Sequence, residues 1–209
     1  MRMRVPCLIG ASVIFLAACG STSPTAQPAT TATPAATATP VATATPMVGS
    51  LADLFIATIP SGFALQPDSV GDTGPSDLAK AARDDGSANA AALLTQDGFA
   101  AGYQRLWARQ SDGTYVVMFL YRFDDPTGAT RYEQHGIGLL EGDPTAQKTA
   151  LPVPGIRGAT GLTGTVQGRP VVGIVYAKGD YLVQVAMQGT GATPDVAIHL
   201  AQDQFARLP

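Results

Sequence analysis

Aromatic and arginine side chains alternate along one stretch of the chain. Residues 102–109 read as a strand, and their alternation places Tyr103, Arg105, Trp107 and Arg109 on one face. Arginine stacks on aromatic rings and pairs with carboxylate or phosphate, so such a face suits sugars, aromatic groups or an anionic polymer. The alternative is a solvent-facing strand whose charges protect it from edge pairing. These four residues are the candidate binding face of the sequence.

Residues for nucleophilic or metal chemistry are sparse. Residues 50–209 contain no cysteine, and their two histidines, His135 and His199, each fall within a predicted helix. Glu133 precedes His135 by two positions and therefore lies on another side of that helix, and no paired-histidine spacing is present. No serine has the surroundings that would activate it as a nucleophile. The sequence therefore predicts no catalytic residue, no metal site and no cofactor.

A cluster of five glycines is a candidate for a phosphate-binding loop. The cluster ends without Gly-Lys-Ser/Thr and leads into strands instead of a helix, so we expect its members to serve turns and strand bends. They are Gly155, Gly158, Gly161, Gly164 and Gly168.

Cys19 has the clearest chemistry. Arg2 and Arg4 precede an apolar run from Val5, which ends in Leu16-Ala17-Ala18-Cys19-Gly20 and resembles a bacterial lipobox. The run is shorter than the about 20 residues of a transmembrane helix. A thiol directly after small residues can take a diacylglyceryl group, and two or more acyl chains such as palmitate anchor stably. The alternatives are an ordinary secreted protein with a chance cysteine and an uncleaved membrane anchor.

Composition divides the chain into three parts. Residues 1–18 form the predicted lipoprotein signal peptide, residues 19–49 a lipidated, disordered linker rich in Thr, Pro and Ala, and residues 50–209 a globular domain. The 13 basic residues less Arg2 and Arg4 leave 11 against 16 acidic ones, a formal charge of −5 for the mature chain. This acidic balance argues against nucleic acid as a partner.

The domain reads as alternating helices and strands. An N-cap at Asp77 begins a helix over 78–83, a second helix covers 88–96, and Asp125-Pro126 begins a third that ends near Leu140. Strands are predicted at 102–109, 114–123, 159–166, 169–177 and 181–188, and a closing helix follows Thr193-Pro194.

This order predicts an α+β fold. Short links between antiparallel neighbours favour a single sheet of about five to six strands with helices packed on one face. The order strand-strand-helix, then strand-strand-strand-helix, is also compatible with two related ββα halves.

Several strings resemble uncharacterised bacterial cell-envelope lipoproteins over residues 90–209. They are Leu93-Leu94-Thr95, Gly98-Phe99, Gly102-Tyr103, Arg105-Leu106-Trp107, Leu120-Tyr121-Arg122-Phe123 and Ala206-Arg207-Leu208-Pro209. The resemblance implies an envelope location and brings no assigned reaction. The element order is also similar to small two-layer folds such as the Mog1/PsbP-like proteins, at the level of fold alone.

Together these patterns predict a lipoprotein held on the extracytoplasmic side of the cell membrane by acylated Cys19. Its domain is expected to bind a cell-wall component, a lipid or an envelope protein. The alternative is a sensor or adhesion module of a larger membrane complex, followed by an enzyme of unrecognised type. A cavity lined by apolar side chains would favour a small ligand, and a filled core with an exposed aromatic patch would favour a protein partner.

Overall fold

The computed structural model describes residues 50–57, 60–68, 73–142 and 147–209. The predicted signal peptide, the linker and Cys19 lie outside these residues. The described helices are α1 Leu51–Leu54, α2 Leu78–Asp85, α3 Ala90–Gln96, α4 Pro126–Gly142 and α5 Pro194–Arg207. The strands are β1 Ala64–Leu65, β2 Gly74–Ser76, β3 Phe99–Arg109, β4 Thr114–Phe123, β5 Gln147–Leu151, β6 Thr160–Val166, β7 Arg169–Lys178 and β8 Tyr181–Gln188.

All eight strands belong to one antiparallel sheet. The order is β1-β3-β4-β8-β7-β6-β5, and β2 pairs with β3 beside β1. Tight hairpins join β3 to β4, β6 to β7 and β7 to β8, while β4 and β8 pair across the middle of the sheet. The fold is therefore α+β with an open antiparallel sheet, as the sequence predicts.

The sheet has helices on both faces, not on one. Face A is the side of Val116, Met118 and Leu120, which form a core with α1 and α5. Face B is the side of Phe119, Tyr121 and Phe123, which form a second core with α2, α3 and α4. The expectation of helices on one face was wrong because β4, β7 and β8 are apolar on both sides, so both faces need cover.

The expected pair of related ββα halves is not seen either. Strands β4 and β8 are antiparallel neighbours, so two equivalent halves would be related by a two-fold axis that runs between them, normal to the sheet. Such an axis keeps each face of the sheet on its own side, and the helices that follow β4 and β8 would then lie on the same face. Helix α4 instead packs on face B and α5 on face A.

The sheet has eight strands instead of the expected five to six, because three short edge strands were not predicted. β1 has two residues, and β2 has three, one of them Pro75. β5 consists largely of polar and exposed residues. None of the three has an alternating apolar pattern, because edge strands bury little surface and their pairing comes from backbone hydrogen bonds to a longer neighbour.

Capping residues determine where two of the helices begin. The carboxylate of Asp77 accepts the Lys80 N–H at the start of α2, and that of Asp125 accepts the Gly128 N–H at 2.9 Å at the start of α4. This hydrogen bond lowers the pKa of Asp125. The predicted bounds of β4 are confirmed, as is the start of α5 at Pro194. Within the described residues, no helix has the length and apolarity that crossing a membrane requires.

Candidate functional site

The predicted binding face of β3 packs against the core of face A, with Trp107 buried and the other three residues half-buried. Tyr103, Arg105, Trp107 and Arg109 point to face A. Phe55 and Ile56 contact the first three, whereas Arg109 lies over the Phe63 ring. Trp107 is 1% exposed, and its ring lies 6.3 Å from that of Phe55. The Tyr103 ring is 5.6 Å from the same phenyl ring. Tyr103 and Trp107 thus pack beneath residues 50–57.

The two arginines of this face hold neighbouring loops. Arg105 Nη1 donates to the Ile56 carbonyl at 2.7 Å, and its guanidinium lies over the Phe55 ring. Arg109 forms a 2.8 Å ion pair with Asp112, and hydrogen bonds from Arg109 lower the pKa of Asp112 to about 2. Arg109 also donates to the Gly191 carbonyl at 3.1 Å.

The interpretation of this face as a docking surface therefore does not fit the structure. It needed a partly exposed Trp107, and the strand alternation could not show that α1 and residues 55–57 would fold back over it. Arginine among aromatic rings here donates hydrogen bonds to backbone carbonyls of neighbouring segments.

A polar cluster, which no motif of the chain predicts, joins the end of α2 to α4. The Tyr132 hydroxyl donates to Asp85 Oδ2 at 2.6 Å, and His135 Nε2 lies 3.0 Å from the same oxygen. The Ser87 hydroxyl hydrogen-bonds to the other carboxylate oxygen and lies 3.4 Å from His135 Nε2. Burial, followed by the bond to Asp85, raises the pKa of Tyr132. His199, by contrast, is exposed on α5, where Nδ1 lies 2.7 Å from the Asp195 carbonyl oxygen.

The cluster of Asp85, Ser87, Tyr132 and His135 does not have the geometry of a nucleophile-activating triad. Asp85 and Ser87 both face Nε2 of His135, so the carboxylate does not orient the opposite ring nitrogen, as a base for serine requires. Its role here is to tie two helices together. Among the described residues, no group of three or more His, Cys, Asp and Glu side chains could hold a metal ion.

The glycine cluster serves the backbone. A Cβ at Gly161 would lie 2.5 Å from the Leu151 carbonyl oxygen, and one at Gly164 would lie 2.5 Å from that of Gln147. These glycines let β5 approach β6 closely. Gly168 has a φ of 76° in the turn between β6 and β7.

An uncovered part of face B is the best candidate for a ligand-binding surface among the described residues. On face A, alternate residues from Val116 to Leu120 are fully buried. On face B, exposure along β4 falls from 36% at Tyr115 to 3% at Tyr121. Val117 and Phe119, between them, are half-buried. Thus no helix among the described residues covers one half of this face, although its side chains are apolar.

Three adjoining hollows form a continuous groove on this half of the sheet. The largest, about 220 Å³, lies beside Leu140 over β4 and β6–β8 and extends to Lys148 of β5. A hollow of about 170 Å³ follows α4, and another of about 170 Å³ reaches Asp84 and Gln104. We call this surface the sheet groove; its floor is formed by Leu106, Val117, Phe119, Leu162, Val171 and Ala186.

Close packing of α4 at one end of the sheet leaves the groove at the other. A Cβ on Gly136 would lie 2.8 Å from Gln184 Nε2, and one on Gly173 would lie 2.6 Å from Leu140 Cδ2. The absence of those side chains lets α4 lie low over β7 and β8. The helix ends at Gly142, so Leu139 and Leu140 form one wall of the groove.

Polar groups without partners lie at both ends of the sheet groove. Gln104 is 1% exposed, and neither its amide nitrogen nor its amide oxygen has a hydrogen-bond partner in the part of the chain that the structure describes. At the β5 end, Lys148 Nζ is shielded from solvent and has no partner among the described residues. Buried polar groups are normally bonded, so unpaired ones beside a hollow indicate room for a molecule that would pair them.

The sequence contains a sign of the groove. Residues 114–123 are apolar on both faces, which is typical of a central strand, and β4 is indeed central. The same pattern also describes a strand whose second face is only partly covered. Alternation alone does not distinguish the two, because the position of α4 depends on glycines at 128, 136 and 173.

Comparison with known proteins gives a family and no activity. No curated protein sequence matches the chain. Among solved structures, the extracellular domain of PknH from Mycobacterium tuberculosis is similar over 75% of this chain and 93% of that chain, with 10% identity and a TM-score of 0.48. A family model described as "Domain of unknown function (DUF7373) N-terminal" matches residues 63–208. Since that match spans more than half of the chain, the protein belongs to the DUF7373 family.

Proposed function

We propose that this protein is a lipid-anchored, extracytoplasmic binding module whose sheet groove holds the hydrocarbon chain of a small lipid. The observation that carries the proposal is the uncovered apolar half of face B. Soluble proteins rarely leave such a surface without a use, and ligand sites are mostly apolar clefts with a few polar groups.

The shape and lining of the groove favour an acyl chain. Its hollows adjoin one another across several strands, so they form an elongated channel instead of a round cavity. Most of its lining is aliphatic, with two aromatic rings, the exposed Tyr115 and the half-buried Phe119. An aromatic or sugar ligand would call for stacking surfaces, whereas a flexible alkyl chain needs only continuous apolar contact.

We infer that the protein acts by binding and not by catalysis. The cluster of Asp85, Ser87, Tyr132 and His135 is the nearest arrangement to a catalytic site among the described residues, and its imidazole uses one nitrogen for both partners. Such a cluster fixes α2 to α4 and thereby shapes one wall of the groove.

The location rests on the lipobox. Cys19→Ser should abolish acylation and move the protein from the membrane fraction to the soluble fraction. The measurement is metabolic labelling with a palmitate analogue, followed by fractionation. A wild-type chain without label, or a substituted chain that stays membrane-bound, would contradict the anchoring.

Groove binding is tested with the neutral apolar probe N-phenyl-1-naphthylamine and the full chain carrying Cys19→Ser. Ala186 lies on the groove floor, so Ala186→Trp should fill it and weaken probe binding at least about tenfold, as loss of a central buried contact does.

The control is Ala206→Trp, which adds the same ring at an exposed position of α5, away from face B. It should leave the fluorescence titration unchanged. Circular dichroism must show both variants folded. Equal probe affinity in the two variants would rule out the groove as the binding site.

A further inference from the structure

The two ends of the sheet groove carry opposite charges. Asp84, whose carboxylate is ion-paired with the exposed Arg83 at 3.5 Å, lies at the end formed by Gln104 and Leu106. Lys148 lies at the other end, with Leu162 and Val171 between. No second acidic or basic side chain is among the residues that line these two hollows. A bound molecule therefore meets a carboxylate at one end and an ammonium group at the other.

The position of Lys148 follows from its strand. It lies on face B of β5 opposite Gly164, which has no side chain. A Cβ at Gly164 would lie 3.5 Å from Lys148 Cγ, so the alkyl part of the lysine passes over the glycine toward the groove. Lys148 Nζ ends shielded from solvent without a hydrogen-bond partner among the described residues.

An ammonium group in this position is incompletely satisfied. It offers three donors, and removal from water without an acceptor is unfavourable. An anionic group that enters the groove would supply both the opposite charge and the acceptor oxygens, and charge-assisted hydrogen bonds are among the stronger ones.

We propose that the ligand of the sheet groove is an anionic single-chain amphiphile whose carboxylate or phosphate pairs with Lys148. Its alkyl chain lies over Val117, Ala186 and Phe119 and points toward Gln104. The reverse orientation would bring the anion to the Asp84 carboxylate, which has no hydrogen to donate, and away from the ammonium group of Lys148. This inference rests on the proposed function and adds to it the charge and the direction of the ligand.

The test compares ligands that differ only in the head group. Decanoate, decyl phosphate and 1-decanol are each used to displace N-phenyl-1-naphthylamine from the full chain carrying Cys19→Ser, which removes the chain's own acyl group as a competitor. Decanoate and decyl phosphate should each bind at least about tenfold more tightly than decanol, the gain of one charge-assisted hydrogen bond.

Lys148→Met keeps the alkyl length and removes the charge. It should bring both anions to the affinity of decanol while leaving decanol unchanged. Arg157→Met, at an exposed position outside the groove, removes the same charge and should preserve the preference for anions. Because the comparison of head groups uses no change in the groove, it decides the question even where Lys148→Met does not fold.

Equal affinities for decanoate and decanol would overturn this inference and leave the proposed function in place. Equal loss of the anion preference in the Arg157 and Lys148 variants would overturn it as well, because net charge would then explain the effect. If neither the probe nor any of the three molecules binds, the proposed function fails and the inference fails with it.

Discussion

At the scale of single residues, Glu133 shows how burial sets the response of the fold to pH. It lies on α4 against the sheet, 8% exposed. Burial raises the pKa of its carboxyl group, and a hydrogen bond from the Ala177 N–H opposes that effect. The raised pKa means that the folded state holds the proton more tightly than the unfolded state. Glu133 therefore lowers the stability of the fold as the pH rises above 4.5, the ordinary pKa of a glutamate carboxyl group.

We predict that Glu133→Gln raises the melting temperature at pH 7 and has little effect at pH 4. The amide keeps an oxygen for the Ala177 N–H and removes the charge that burial disfavours. Thermal unfolding followed by circular dichroism at both pH values measures this.

Glu141→Gln is the matched control, because Glu141 is exposed near the end of the same helix. It removes the same charge without a change in burial, and we expect the melting temperature to differ little at either pH. A lower melting temperature of the Glu133 variant at pH 7 would show that its carboxylate stabilises the fold.

At the scale of elements, two glycines of α4 illustrate opposite roles. A Cβ at Gly128 would lie 1.9 Å from the Asp97 carbonyl oxygen, a backbone atom that cannot move aside freely. A Cβ at Gly138 meets nothing within 4 Å. Helix propensity favours alanine at both positions by up to about 1 kcal/mol, so the difference between the two substitutions isolates the contact.

We predict that Gly128→Ala destabilises the fold by about 1–3 kcal/mol, the usual range for overpacking, because the start of α4 must shift away from α3. Gly138→Ala should be neutral or stabilising by up to about 1 kcal/mol. Urea unfolding of the two variants measures both values. Equal effects would mean that α4 does not pack as closely at Gly128 as described.

The elements also show how far sequence patterns reach. The caps at Asp77 and Asp125 and the turns between β6, β7 and β8 are local signals, so the long helices and strands could be predicted. Burial of Trp107 could not be predicted from local signals, because it depends on contacts with α1, some 50 residues earlier in the chain. The groove could not be predicted either, since it is defined by where α4 ends over the sheet and not by any motif.

At the scale of the whole molecule, residues 50–57 are an integral part of the domain although the family match begins at residue 63. Gln204, fully buried on α5, accepts the Ile56 N–H at 3.1 Å and donates to the Leu54 carbonyl at 2.9 Å. Leu51, Phe55 and Ile56 are buried on face A. At about 1.5–3 kcal/mol for each buried side chain, this segment supplies a share comparable with the net stability of a domain, about 5–15 kcal/mol.

We predict that a chain beginning at Ser50 unfolds cooperatively, whereas a chain beginning at Pro60 does not. Without residues 50–57, Trp107 loses its cover, and its fluorescence emission should shift to longer wavelength. Urea titrations followed by that emission compare the two chains. Identical curves would show that the segment does not contribute to the fold.

The central claim is that face B, and not the aromatic face of β3, receives the ligand. Methyl NMR of the full chain carrying Cys19→Ser, titrated with decanoate, measures this directly. We predict saturable shifts of the Val117, Leu162 and Val171 methyl groups on face B. Val116 and Val185, buried on face A, should stay unchanged. Saturable shifts confined to face A, or no saturable shift at any methyl group, would contradict the claim.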